Sequence, residues 1–169
     1  MDVQSASNVE DIERPATNVG VTMQLVYVFD LDGTLADITH RLHHIQGDKK
    51  DWRAFFADCV DDKPIGYMLD LAWNLKMGAG KTVIYVSGRS DEVRRETEMW
   101  LNSHGAPFGR LYMRKAGDHK PDHELKIELL ADLRADGYEP VLWFDDRARV
   151  VQAIRAAGIP VAQIAEGDF

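Results

Sequence analysis

The sequence has a single cysteine, Cys59, among 169 residues. One cysteine cannot close an intrachain disulfide, so a reducing, cytoplasmic setting is expected. No histidine-bearing motif surrounds Cys59, and it reads as packing filler rather than a nucleophile. Long apolar runs are also missing. Nothing approaches the roughly 18 residues that a membrane span requires. No basic-then-apolar leader opens the sequence. Positive charge is short as well: 20 Lys and Arg face 28 Asp and Glu, for a net charge of −8. Proteins that wrap nucleic acid non-specifically are basic, so any nucleic-acid contact here should be local and small. Internal repeats and low-complexity tracts are absent. His40, His43 and His44 sit close together, but adjacent residues do not share a helix face. No Cys or His follows at zinc spacing, which excludes a zinc site.

What remains is an ordinary globular composition, 45% hydrophobic and 28% charged, at a length that suits one domain. Residues 1–22 are polar and aperiodic and read as a mobile N-terminal extension. The folded domain is expected over 23–169. Its first strand is the run Leu25-Val-Tyr-Val-Phe, which ends in Asp30-Leu-Asp32-Gly33-Thr34. Gly33 permits the sharp turn that must follow. Residues 37–62 read as mixed and mainly helical, broken at Gly47-Asp48-Lys49-Lys50. Pro64 is expected to open a helix carrying Ile65, Met68, Leu69, Ala72 and Leu75, ended by Gly78 and Gly80. Strand 81–86 then leads into Ser87-Gly88-Arg89. Ser90 caps a helix with Val93, Thr97, Trp100 and Leu101 on one face, stopped by Gly105. A short strand over 111–113 precedes a helix over 121–135 with Leu125, Leu129, Leu130 and Leu133. Strand 141–144 ends in Asp145-Asp146, a helix over 147–157 stops at Gly158, and a last strand covers 159–164. This alternation predicts an α/β fold, a doubly wound (Rossmann-like) parallel sheet of five strands.

Three strand ends carry polar groups: Asp30/Asp32, Ser87/Arg89 and Asp145/Asp146. Open α/β sheets bind ligands at the carboxyl ends of their strands. A lone Asp after a strand is ordinarily a turn residue, and a Ser-Gly pair is ordinarily turn chemistry. Three such ends in one sheet instead converge on a crevice. Four carboxylates meeting there repel one another unless a cation joins them. Hard oxygen donors suit Mg²⁺.

Asp30-Leu-Asp32-Gly33-Thr34 resembles the first motif of the haloacid dehalogenase-like (HAD) superfamily, and Ser87, Lys126 and Asp145-Asp146 resemble its later motifs. Acids at both Asp30 and Asp32 point, by that resemblance, to phosphatases or phosphomutases. The resemblance implies Asp30 as nucleophile forming an aspartyl-phosphate, and Asp32 as general acid and then base. It implies Mg²⁺ held by Asp30, the Asp32 carbonyl and Asp145, with Asp146 assisting. Ser87 and Lys126 would stabilise the phosphoryl oxygens, with the Thr34 hydroxyl assisting. Taken alone, Lys126 is equally a solvated helix lysine paired with Asp122.

The connections leave no room for a large cap, only for a small helical flap after the first motif. A nearly open crevice admits the end of a long substrate. Arg41, Ser87-Gly88-Arg89, the run from Gly117 through Asp122 to Lys126, Asp145-Asp146-Arg147 and the ending Gly167-Asp168-Phe169 resemble the 3′-phosphatase domain of phage polynucleotide kinase/phosphatases. That likeness adds Arg41, Arg89 and Asp122 as substrate-binding residues, with the arginine forks suited to phosphate. It implies removal of 3′-phosphate from nucleic-acid 3′ ends in end repair. Without a Gly-x-x-x-x-Gly-Lys-Ser/Thr loop, 5′-kinase activity is not expected. The alternatives are a nucleotidase acting on free nucleotides and a non-catalytic nucleic-acid-binding module. No obligate protein partner and no membrane association are expected. Two local signals stay open. The basic loop Arg114 to Lys120 either steers a phosphate backbone or is simply solvated. Trp52, Phe55 and Phe56 either stack a terminal base or form the buried face of the flap helix.

Overall fold

The computed structural model describes residues 22–167. The expected N-terminal extension, save its last residue, and the closing Asp168 and Phe169 lie outside the described residues. In chain order the elements are β1 (Gln24–Phe29), β2 (Ala36–Asp37), α1 (Trp52–Ala57), β3 (Lys63–Pro64), α2 (Gly66–Trp73), β4 (Thr82–Ser90), α3 (Arg94–Ser103), β5 (Arg110–Arg114), α4 (Asp122–Ala135), β6 (Tyr138–Asp145), α5 (Ala148–Ala156) and β7 (Val161–Gln163).

Strand β1 lies at the centre of a five-stranded sheet of order β5-β4-β1-β6-β7. All four neighbouring pairs are parallel. A strand buried on both faces must be apolar throughout, which accounts for the unbroken run in β1. Alternation then sorts its side chains. Val26 and Val28 join Leu125, Leu129, Leu130 and Leu133 of α4 and Val150, Val151 and Ile154 of α5. Phe29 faces the other way, with Met68 and Leu69 of α2 and Trp100 and Leu101 of α3. Phe29 stacks on Phe144 of β6, ring centroids 4.4 Å apart. The same parity turns Asp30 toward the α4 side of the sheet.

Helix α4 follows from its sequence. Pro121 precedes it with φ −55°, acids occupy its first turn and Arg134 its last. Gly137, at φ +88°, lets the chain turn straight into β6. Several boundaries differ from the sequence reading, each for a local reason. Helix α2 starts at Gly66 because Pro64 pairs with Ala36 in a two-residue antiparallel ribbon, β2–β3. Strand β4 runs on to Ser90 through a register shift, reaching Arg114 of β5. The register between β1 and β6 slips where Pro140, which has no N–H, lies opposite Val26.

The ribbon closes the base of a flap. A 3₁₀ turn (Thr39–His44), helix α1 and a second 3₁₀ turn (Asp58–Asp61) pack around Ile38, Ile45 and Phe55. Among the described residues no large cap covers the carboxyl ends of the strands. Leu133, fully buried in α4, sits in the cluster that aligns that helix with the sheet. Leu133→Ala should cost about 2–5 kcal/mol, read as a lower urea midpoint with unchanged slope.

Candidate active site

Asp30 is carried to the crevice by the central strand, its N–H donating to Phe144 O at 3.0 Å. Immediately after it, the Leu31 carbonyl accepts the N–H groups of Thr34, Leu35 and Ala36. That tight curl needs Gly33 at φ +83°. It returns the chain toward the flap and leaves Asp30 and Asp32 at the crevice floor.

Lys126 reaches this floor from α4. Its Nζ donates to Asp30 Oδ1 at 2.5 Å and Asp145 Oδ2 at 2.8 Å, and lies 3.7 Å from Asp122 Oδ2. The exposed-lysine reading therefore fails, since Lys126 is 1% exposed. Asp145 also accepts the Trp143 indole N–H at 3.1 Å and the Arg147 N–H at 3.2 Å. Asp30, Asp145 and Asp146 are all buried and offer carboxylate oxygens within 4.8 Å of one another. Asp146 Oδ1 is buried without a hydrogen-bond partner among the described residues. Two glycines press on the same carboxylate: a Cβ on Gly33 or Gly167 would fall 2.1 or 1.9 Å from Asp146 Oδ2. Three hard oxygen donors, one of them unsatisfied, fit a Mg²⁺ ion. Asp32 contributes no carboxylate to this cluster; only its main-chain carbonyl remains for the expected metal role.

The Asp32 side chain belongs to a second network. Its Oδ1 accepts Arg41 Nη2 at 2.8 Å and Arg89 Nε at 2.7 Å. Both arginines are fully buried, so neither lies on the surface of the flap nor reaches into open solvent. Their other partner is Asp62, which the sequence reading did not single out. Asp62 accepts Arg41 Nε at 2.6 Å, Arg41 Nη2 at 2.7 Å and Arg89 Nη2 at 2.6 Å. His40 Nε2 lies 2.9 Å from it. Its carbonyl accepts the Trp100 indole N–H at 2.8 Å. Arg41 also lies 4.2 Å over the Phe55 ring. No motif marks Asp62. Two buried guanidiniums require more than one carboxylate, but that demand appears only once their burial is known.

The remaining expected residues divide. Ser87 is fully buried, with Oγ accepting the Arg89 N–H at 3.2 Å. Thr34 is fully buried, with a hydroxyl that has no partner among the described residues. Asp122 is half-buried and lies 3.3 Å from Arg114 Nη2 and 3.5 Å from Arg147 Nη1. A Cβ on Gly88 would come within 2.4 Å of its Oδ1, so Gly88 is what admits it. Asp122 thus gathers cations beside the crevice.

The two networks titrate in opposite directions. Burial pushes the Asp30 carboxyl well above its ordinary range; Lys126 draws it back, while Asp145 and Asp146 push it further up. Burial, aided by Asp145, raises Asp146 to about 6. Burial would lower Lys126, but Asp145 and Asp30 outweigh it and hold the ammonium well above the usual lysine range. For Asp32 burial acts upward, yet Arg89 and Arg41 together hold it at about 2.

Above these groups opens a cavity of about 1310 Å³, with Asp30 and Asp32 at its floor and Trp52, Phe56, Arg114 and Arg147 among its walls. The family model described as the polynucleotide kinase PNKP phosphatase domain matches residues 24–169. The chain belongs to this family. It is accordingly a HAD-type phosphatase domain, and its fold agrees with solved structures. It aligns with a chain of the Pnkp1/Rnl/Hen1 RNA repair complex at TM-score 0.72 and 26% identity, over 87% of this chain and 44% of that one. A second Pnkp1/Rnl/Hen1 structure gives 0.73 and 23%, over 99% of this chain and 58% of the other. The chain thus spans about half the length of these relatives. The class C acid phosphatase from Bacillus anthracis, with tungstate bound, gives 0.63 and 17%, over 89% and 70%. Among the described residues no helix is long and apolar enough to cross a membrane.

Two outcomes follow from this geometry. Asp62→Ala leaves two buried guanidiniums with one carboxylate between them. It should destabilise the fold by about 3–5 kcal/mol in urea unfolding. The second concerns Asp146, whose carboxyl rises from an ordinary 3.8 to about 6 in the fold. Between those values the folded protein holds a proton that the unfolded chain has lost, so stability falls as pH rises through that window. A divalent cation binds the deprotonated form and reverses the loss. The Mg²⁺-induced rise in Tm should therefore be larger at pH 8 than at pH 5, and an equal rise would speak against this metal site.

Proposed function

We propose that this domain is a Mg²⁺-dependent phosphomonoesterase that removes 3′-phosphate from polynucleotide ends through an aspartyl-phosphate on Asp30. The observation that carries the reading is Asp30 at the floor of a crevice that has a small flap on one side and Arg114 and Arg147 on its other walls. Membership of the PNKP phosphatase family supports the same substrate class, as does likeness to a chain of an RNA repair complex.

The chain's residues would act in two steps. In the first, an Asp30 carboxylate oxygen bonds to phosphorus as the ester oxygen leaves, taking a proton from Asp32. In the second, a water oxygen attacks the same phosphorus and gives its proton to Asp32. Inorganic phosphate departs and the Asp30 carboxylate is restored. Asp30, Asp145, Asp146 and the Asp32 carbonyl would hold Mg²⁺, which when bound would supply positive charge for the phosphoryl oxygens. Lys126, fixed between Asp30 and Asp145, adds a cation on the protein side. Ser87 and Thr34 offer hydroxyls to the phosphoryl oxygens. Arg41 and Arg89 orient Asp32 and keep it ionised in the free enzyme. The arriving phosphate places negative charge beside Asp32 and favours its taking up a solvent proton, which the first step consumes and the second returns.

The test is phosphate release from a 3′-phosphorylated oligonucleotide with Mg²⁺. EDTA should stop it and added Mg²⁺ restore it. Asp30→Asn should abolish turnover, and Asp32→Asn should lower kcat by roughly 10²–10⁴-fold. Intact oligonucleotide at high enzyme would overturn the reading. A higher kcat/KM on 3′-mononucleotides than on oligonucleotides would favour a nucleotidase instead.

A further inference from the structure

The three aromatic residues of the flap helix do not share one environment. Phe55 is 1% exposed and lies against Arg41, so it belongs to the flap interior. All three border the cavity that has Asp30 and Asp32 at its floor, but Phe56, one helical turn from Trp52, is half-buried and packs against the flap core, and of the three Trp52 presents the open face. Trp52 remains 43% exposed. The two rings lie 6.0 Å apart with 32° between their planes. Asp51 Oδ1 accepts the Ala54 N–H at 2.9 Å, which fixes the first turn of α1 and with it the Trp52 backbone.

The Trp52 ring is met by a cation, with Lys50 Nζ 5.6 Å from its centroid, so this wall pairs an open π face with a positive charge that can turn to a phosphate when a flat partner takes the ring. The surroundings indicate the chemistry of that partner. Lys50, Arg53, Lys115 and Arg149 line the same cavity, in a chain of net charge −8. Cations concentrated here against the overall balance suit an anion, and π faces beside them suit an anion that carries a planar ring. Nucleic acid combines a phosphate backbone with stacking bases; an apolar peptide supplies neither the negative charge nor the flat ring.

We propose that the Trp52–Phe56 face of the flap seats the terminal nucleobase of the polynucleotide 3′ end, a reading that rests on the proposed 3′-phosphatase activity. The base adjoining the scissile phosphate lies on Trp52, while Lys50 and Arg53 flank the backbone. Stacking tolerates every base, so this seat favours a base-bearing end without selecting its sequence. It also distinguishes a nucleotide end from a simple phosphate ester.

The experiment compares two 3′-phosphorylated oligonucleotides of one sequence, one with an ordinary terminal nucleoside and one abasic at that position. The wild type should show a higher kcat/KM on the base-bearing end. Trp52→Ala should reduce that preference roughly fivefold or more, mainly through KM, and Trp52→Phe should retain most of it. Phe56→Leu, which keeps an apolar side chain in the flap, should reduce it more modestly. Equal loss on both substrates in Trp52→Ala would show a structural role and overturn the proposal. No preference in the wild type would also overturn it. If the wild type leaves both oligonucleotides intact, the 3′-phosphatase reading itself fails and the base seat fails with it.

Discussion

The ammonium of Lys126, held 2.5 Å from Asp30 and 2.8 Å from Asp145, is the contact on which the rest of the crevice depends. Three buried carboxylates share this one buried cation. Such a cluster is costly to desolvate and is stable only where the fold leaves its members no retreat. The fold provides that constraint. Asp30 ends the central strand, Asp145 ends its neighbour, and α4 is locked beneath them by four buried leucines. The cluster is still short of positive charge, and the raised carboxyls of Asp30 and Asp146 express that shortage. A divalent ion would supply the missing charge.

The adjacent network is balanced by contrast. Arg41 and Arg89 face Asp32 and Asp62, two charges of each sign, all with hydrogen-bond partners. It needs no added ion and holds Asp32 in one orientation. The two clusters divide the labour of the crevice. One is set to gain a cation, and the other is set to keep a carboxylate aimed. Asp30 and Asp32, two residues apart, fall on opposite sides of that division because β1 ends at Phe29 and the chain curls away through Gly33 just after them.

Much of this was legible in the sequence because it is local. The unbroken apolar run of β1, the leucine spacing of α4 and the turn glycines each follow from nearest-neighbour physics, and they placed the carboxyl ends of β1 and β6 to within a residue. Arg41 and Arg89 were recognised, but their burial was not, because burial depends on Asp62 returning from the far end of the flap. The sequence offers no periodic or motif signal for that residue. Trp52, Phe55 and Phe56 presented the same difficulty. Helical spacing groups them, while the position of Arg41 over Phe55 separates them. The extension of β4 to Ser90 likewise depends on a register shift against β5 that no single strand encodes.

The ribbon of Ala36-Asp37 with Lys63-Pro64 has an evolutionary corollary. Two residue pairs make a narrow neck, and a neck of that kind looks like a socket into which any insert could be grafted. Arg41 and Asp62 lie inside it, however, and both reach back to Asp32 or to the arginine that holds it. A replacement insert must therefore bring its own guanidinium and carboxylate. The flap and the orientation of Asp32 are inherited together, and this insert cannot be exchanged as an independent module.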